Sequence, residues 1–220
     1  MLLITTDESP SGAATAKRPT LSSWLRTQTG VEHRAVERHL DLDRPLTAAE
    51  AMHFLTGWAS VWREVRRAMD TPGASTTAAT ELAPMADQAL AWLTADGVTP
   101  GAPTPGAPEA AGFRRLGLSD LLVDPAAAWG VAYVLHGSRL GGAVLAPRVD
   151  AALVPFTGAG SAFLRTAGAD PGREWVAFRR RLDASGTRRS DAVTAARWTF
   201  GWVCSVLAAA PADRLAAGTR

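Results

Sequence analysis

His33 and Glu37 are the first residues whose types and spacing could support chemistry. They stand four residues apart in a segment whose apolar residues recur at roughly helical spacing. On one helix their side chains share a face, and Arg26 lies two turns upstream on nearly the same stripe. That face would carry a base, an acid and a cation. A lone histidine on an amphipathic helix is by default a surface or core residue, and His39 and His53 keep that interpretation.

A glycine-rich stretch, GSRLGG at residues 137–142, interrupts a segment that otherwise reads as a helix. Each glycine costs about 1 kcal/mol relative to alanine, so Gly137, Gly141 and Gly142 together cost roughly 2–3 kcal/mol of helix propensity. Small residues at this spacing allow two helices to pack closely. Alternatively, a flat and bulky ligand lies against the bare backbone of Gly137 and Gly141, which share a face.

The elements that must position these residues are predicted to be helices. The first spans about 22–40, with Gly30 as an internal weak point, and the second begins with a capping box formed by Thr47 and Glu50. Asp124 caps the glycine-bearing helix, and Pro125 starts it. The other helical segments are about 77–95, PFTGAGSAFLRTAG, PGREWVAFRRRLDAS and SDAVTAARWTFGWVCSVLAAA.

These elements predict an all-α bundle in a single domain over residues 21–210. Residues 1–20, rich in Ser, Thr, Ala and Gly, are predicted to be a disordered tail, and 211–220 a second tail. The segment DGVTPGAPTPGAPEAAG is predicted to be a surface loop, because its glycines and prolines cannot sustain a helix.

Composition excludes several classes of function. The chain has 220 residues and a net charge of +2, too slight and dispersed for a nucleic-acid footprint. No stretch is long and apolar enough to predict a membrane span, and the N-terminus lacks the pattern of a secretory signal, so a cytoplasmic location is expected. The single cysteine, Cys204, excludes an intramolecular disulfide and a multi-thiolate metal site.

Two motifs together carry a resemblance to a known family. LRTQTGVEHRAVE, followed later by YVLHGSRLGGAVL, resembles the biliverdin-forming heme oxygenases, and most closely the bacterial members associated with bacteriophytochromes. The likeness extends from about Leu21 to Ala210. It implies a heme-oxygenase-like bundle in which heme is sandwiched between a proximal helix and a kinked distal helix.

The resemblance also implies roles for individual residues. His33 matches the proximal ligand of the heme iron, and Glu37 resembles the acid that orients the imidazole ring. Gly137 and Gly141 match the distal glycines that leave room for dioxygen. Arg26 and Arg179 fall where the family places cations near the heme propionates, with Arg180 and Arg181 as adjacent alternatives to Arg179.

The implied activity treats heme as both cofactor and substrate. Dioxygen and electrons from a ferredoxin or a flavoprotein reductase convert it to biliverdin, carbon monoxide and ferrous iron, and a bacteriophytochrome is the implied acceptor of biliverdin.

Two positions depart from the family pattern. Ser138 stands where many members have an aspartate, and it could still hold a water molecule for proton delivery. His136 replaces a frequent glutamate; it is expected to flank the pocket, with a second axial ligand as the alternative.

Two other classes remain open from the sequence. A non-catalytic heme carrier or sensor of the same fold would bind heme and leave it intact. A di-metal oxidase on a related bundle is suggested by the Glu-x-x-His spacing of Glu50 and His53. Such sites ordinarily use this motif twice, and Glu50 is already explained by the capping box.

Overall fold

The computed structural model describes residues 19–39, 44–99, 117–157, 161–165 and 170–209. Every regular element in these ranges is an α-helix, which confirms the all-α prediction. The predicted tails up to residue 18 and over 211–220, and the loop residues 100–112, lie outside them. The helices are α1 (Leu21–Gln28), α2 (Gly30–His39), α3 (Ala48–Met69), α4 (Thr76–Glu81), α5 (Ala83–Ala95), α6 (Leu118–Val123), α7 (Pro125–Thr157), α8 (Pro171–Ala184) and α9 (Arg189–Ala208).

The prediction of one unbroken helix over 22–40 is wrong, because the chain divides at Thr29. The Thr29 hydroxyl donates to the carbonyl oxygen of Leu25 at 2.9 Å, and the Thr29 N–H donates to the same oxygen at 2.9 Å. A threonine that bonds back to the preceding turn tends to bend a helix, and Gly30 directly after it has low helix propensity. The break separates Arg26, on α1, from His33, on α2.

Two further predicted helices differ from the structure. The segment 77–95 divides at Leu82 into α4 and α5, because Pro84 at the start of α5 has no N–H with which to continue α4. In the predicted helix PFTGAGSAFLRTAG, the described residues after α7 form only a turn over Ser161–Arg165.

The predicted starts of α3 and α7 are confirmed, and in both the capping residue is adjacent in sequence to the first turn of the helix. The Glu50 N–H donates to Thr47 Oγ1 at 3.2 Å, and the Thr47 N–H donates back to Glu50 Oε2 at 2.8 Å, which completes the capping box. At the start of α7, Asp124 Oδ1 accepts the N–H of Ala126 at 2.7 Å. Both contacts satisfy N–H groups that the first helical turn leaves without a backbone acceptor.

The long helix α7 forms the centre of the fold and packs most extensively against α9. Gly130 permits this crossing, since a Cβ atom at this position would lie only 2.1 Å from the carbonyl oxygen of Ala192. The largest fully buried side chains of the core include Trp62, Phe178 and Leu25. Although α7 has 33 residues, neither it nor any other helix in the described ranges is long and apolar enough to cross a membrane.

Helix α2 differs from the other long elements, because none of residues 30–38 is buried. It packs chiefly against α9, and its other side borders open space. An amphipathic helix normally buries its apolar face against a neighbour. The open side of α2 therefore identifies one wall of the candidate site.

Candidate functional site

A cavity of about 790 Å³ lies between α2 and α7. Helices α1, α3, α5, α8 and α9 and the turn Ser161–Arg165 complete its walls. Its volume lies within the range of roughly 300–1,000 Å³ that is typical of small-molecule and cofactor sites. The structure brings all seven predicted site residues to this cavity: Arg26, His33, Glu37, Gly137, Ser138, Gly141 and Arg179.

His33 presents an imidazole that is already oriented. Its Nδ1 atom lies 3.3 Å from Oε1 of Glu37, and its ring makes a T-shaped contact with Phe200, with the ring centroids 5.8 Å apart. A carboxylate beside Nδ1 favours the tautomer that has its proton there, so that Nε2 keeps a lone pair for a metal ion. The His33 side chain is 60% exposed and lines the cavity, so the imidazole ring is open to a ligand.

The glycines of α7 serve different purposes. A Cβ atom on Gly141 would have no neighbour within 4 Å, and one on Gly137 would be in ordinary contact with the Trp175 ring at 3.8 Å. A Cβ on Gly142 would instead lie 3.3 Å from the carbonyl oxygen of Leu164. Gly142 therefore allows close packing, although against the turn Ser161–Arg165 rather than against a second helix, whereas Gly141 leaves bare backbone beside open space.

Two arginines and a tyrosine form a cationic end of the cavity. Arg179 Nε donates to Ser22 Oγ at 3.4 Å, and Arg26 is exposed. Burial raises the pKa of Tyr133, while a hydrogen bond with Thr29 and the charges of Arg26 and Arg179 oppose this rise. Guanidinium groups beside a phenol suit the carboxylates of an anionic ligand.

Sequence reasoning missed Tyr133, although a signal was available. It precedes Gly137 by four residues and so shares its face of α7.

The three adjacent arginines of α8 divide between two environments. Arg179 lines the cavity, whereas Arg180 and Arg181 do not. Arg181 makes two hydrogen bonds to the Glu81 carboxylate, at 2.7 and 2.8 Å, on another side of α8. The expected cationic partner at this position is therefore Arg179.

His136 lies outside the cavity, in a buried cluster behind α7. Its ring stacks on Phe178 with centroids 4.0 Å apart, and its Nε2 atom is 3.3 Å from Glu81 Oε2. Burial raises the pKa of Glu81, but the close His136 ring and the hydrogen bonds from Arg181 outweigh that effect and bring it to about 2. The prediction that His136 does not point toward the iron position agrees with this placement, but the ring does not border the pocket either, and the alternative of a second axial ligand is wrong because the ring is directed to α4 and α8.

Ser138 lines the cavity, and its hydroxyl is already engaged as a donor. Ser138 Oγ donates to the carbonyl oxygen of Leu135 at 2.8 Å. The oxygen keeps lone pairs that can accept a hydrogen bond from a water molecule. Ser138 can therefore hold water as an acceptor in this rotamer.

An aromatic wall closes the cavity on the side of α3 and the turn Ser161–Arg165. Trp58 and Phe163 pack with their ring centroids 6.2 Å apart. Asp150 fixes the turn by accepting the N–H and the hydroxyl of Ser161, both at 2.7 Å. This wall could not be predicted, because the turn meets α3 only through tertiary contacts.

The residues considered for a di-metal site have other partners. Glu50 caps α3 and pairs with Arg44, and hydrogen bonds from the Arg44 side chain and from Thr47 lower its pKa to about 2. His53 Nε2 lies 2.7 Å from the carbonyl oxygen of Leu207. Within the described ranges, no group of three His, Cys, Asp or Glu side chains is placed to hold a metal ion.

No protein-family model and no curated protein matches this chain significantly. A function for the cavity has to be inferred from the residues that line it.

Proposed function

We propose that this protein is a heme oxygenase, which binds heme as cofactor and substrate and cleaves it to biliverdin, carbon monoxide and ferrous iron. One observation carries the proposal: a single cavity gathers an exposed imidazole, a wall of bare glycine backbone and, at one end, two arginines, Arg26 and Arg179. Heme has a matching set of features, namely an iron atom, a flat ring and two carboxylates. In this proposal α2 is the proximal helix and α7 the kinked distal helix of a heme-oxygenase-like fold.

The residues of the cavity fit this group. His33 would hold the iron through Nε2, while Glu37 keeps the ring in the required tautomer. Arg26 and Arg179 would bind the propionates by charge-assisted hydrogen bonds. The open space at Gly141 would allow the ring to approach the backbone of α7.

When bound, heme supplies the iron that activates dioxygen and the ring carbon that is oxidised. On the side of α7, the protein would position a water molecule and deliver protons. Ser138 Oγ would accept a hydrogen bond from a water molecule, because its own proton is donated to Leu135. A serine cannot tune acidity as an aspartate does, so we expect slower proton delivery than a carboxylate would provide.

The electron donor belongs to the same proposal, because heme cleavage consumes electrons that the chain itself does not supply. A ferredoxin or a flavoprotein reductase would provide them. A bacteriophytochrome as the acceptor of biliverdin and a cytoplasmic location complete the proposed setting.

A spectroscopic assay tests the function directly. Purified protein is titrated with hemin, and ascorbate or a reduced ferredoxin system is then added in air. We expect a heme band from the complex, followed by its loss and the growth of a broad red-absorbing biliverdin band. Absence of a saturable heme complex would refute the proposal.

A non-catalytic heme carrier or sensor is the second candidate. The engaged hydroxyl of Ser138 favours it, because this side chain offers water an acceptor but no donor in its present rotamer. The same assay separates the two candidates: a carrier would form the complex and keep its heme band after reductant and air are supplied.

A further inference from the structure

The cavity contains a cation that differs from the others that line it. Four arginines contribute to its walls: Arg26, Arg34, Arg139 and Arg179. Three of them are exposed, whereas the side chain of Arg139 on α7 is only 13% exposed. Water and salt screen a buried charge less than an exposed one, so Arg139 has the greatest capacity to attract an anion inside the cavity.

Arg139 is engaged by two residues from neighbouring helices. Its Nη1 atom donates to Glu174 Oε2 at 2.5 Å, and its Nη2 atom donates to Gln88 Oε1 at 3.2 Å. Within the described part of the chain, it is the one arginine of the four that has a carboxylate partner. Glu174 thus neutralises the least screened cation of the cavity.

Because Glu174 and Arg179 lie on the same helix, the pairing of Glu174 with Arg139 affects how a ligand is oriented in the cavity. Glu174 and Arg179 stand five residues apart on α8, which corresponds to about 7.5 Å along the helix axis. Without its carboxylate partner, Arg139 would offer a second cationic subsite in the cavity, displaced from the end formed by Arg26 and Arg179. A flat dicarboxylate could then turn in its plane to reach that subsite.

We propose that Glu174 is a specificity-determining residue, which masks Arg139 and thereby directs the ligand's carboxylates to the end formed by Arg26 and Arg179. The inference rests on the proposed function, because it takes heme as the dicarboxylate. It concerns which way heme faces in its plane, and therefore which edge of the ring is cleaved.

Glu174→Gln tests the proposal with little change in shape. The amide oxygen still accepts a hydrogen bond from Arg139, while the negative charge is removed. Glu64→Gln is the matched control, because it removes the carboxylate partner of Arg67 on α3, outside the cavity. Thermal melts of the heme-free variants establish that both are folded.

The orientation of bound hemin is read from the hyperfine-shifted methyl signals in proton NMR spectra, and independently from the biliverdin isomers formed. For Glu174→Gln we expect a new set of signals, with the ratio of orientations changed by about tenfold or more, as a charge-assisted hydrogen bond would produce. Glu64→Gln should give the wild-type spectrum. Hemin dimethyl ester, which lacks the carboxylates, should bind wild type and Glu174→Gln in the same orientation.

Removing Arg139 distinguishes two explanations for a new orientation: an unmasked charge on Arg139, or a change in the shape of the cavity. The double variant Glu174→Gln/Arg139→Gln should return to the wild-type orientation, and Arg139→Gln alone should keep it. If Glu174→Gln gives the wild-type methyl signals and the wild-type biliverdin isomers, this inference is wrong, while the proposed function is unaffected. A new orientation that persists in the double variant would also overturn it. Failure of the wild-type protein to bind hemin would overturn both.

Discussion

The Nδ1 atom of His33 lies 3.3 Å from a carboxylate oxygen of Glu37, one helical turn further along α2. Since this contact favours a proton on Nδ1 and a lone pair on Nε2, we expect His33→Ala to lose the wild-type heme spectrum and turnover. The fold should persist, because the side chain is 60% exposed and alanine improves helix propensity. Circular dichroism and hemin titration measure both effects.

Added imidazole provides the control for His33→Ala. A free imidazole that enters the vacated space should restore part of the wild-type spectrum, which a purely structural role of His33 would not explain. Wild-type coordination in the variant without imidazole would assign the iron ligand to another residue.

Gly141→Leu and Gly142→Leu form a matched pair of neighbouring substitutions. Leucine at position 141 enters open space, so we expect stability to be unchanged or up to about 1 kcal/mol higher through helix propensity, while biliverdin formation is blocked. Leucine at position 142 meets the backbone of Leu164 and should cost about 1–3 kcal/mol. Thermal melts without heme and turnover with heme distinguish the two. A large loss of stability in Gly141→Leu would assign that glycine to helix packing.

Arg26→Ala and Arg179→Ala should each weaken hemin binding by roughly 1–2 kcal/mol, because each removes a partly exposed charge-assisted hydrogen bond. Arg180→Ala is the control, since Arg180 is adjacent in sequence and does not line the cavity. Hemin titration gives the affinities, and chromatography of the products shows any change of isomer. If Arg26→Ala and Arg179→Ala bind hemin as tightly as the Arg180→Ala control, neither arginine binds the propionates.

Glu81→Gln should expose the pH dependence of the cluster behind α7. The folded pKa of Glu81 is about 2, below its ordinary value of 4.5, so its stabilising effect is present above pH 4.5 and is lost as the pH falls toward 2. With Arg181 half exposed, we expect the variant to be about 2 kcal/mol less stable than wild type at pH 6, with the difference vanishing near pH 2.

Urea unfolding across this pH range measures the effect of Glu81→Gln. Glu64→Gln, which breaks a solvent-screened pair with the exposed Arg67, should leave stability nearly unchanged at every pH. A deficit in Glu81→Gln that does not shrink in acid would show that the loss comes from packing rather than from the charge.

Local patterns were sufficient for the helical class and for the face that carries His33 and Glu37, since both follow from spacing within one segment. The capping box of α3 was predictable for the same reason. Gly30 marked a weak point of the first helix, but the break at Thr29 itself was not predictable, because a threonine followed by glycine is tolerated inside many helices and only the completed fold decides between bending and breaking.

Features that depend on distant parts of the chain could not be predicted. Gly130 was not singled out, because its role depends on the approach of Ala192, and the sequence does not show which helices cross. The orientation of His136 follows from Glu81 and Phe178, on two other helices. The position of His136 along α7 predicted only approximately which side of the helix its ring occupies. Its surroundings depend on the residues that pack against it.

The exposure of α2 has a consequence for the motions of the protein without ligand. Because none of residues 30–38 is buried, little apolar contact opposes local opening of this helix, and its amides should exchange with solvent faster than those at the crossing of α7 and α9. A ligand seated between α2 and α7 would supply the missing contacts on the open side. Binding should then slow hydrogen exchange mainly in α2, so that the helix that carries His33 gains much of its rigidity from the molecule it holds.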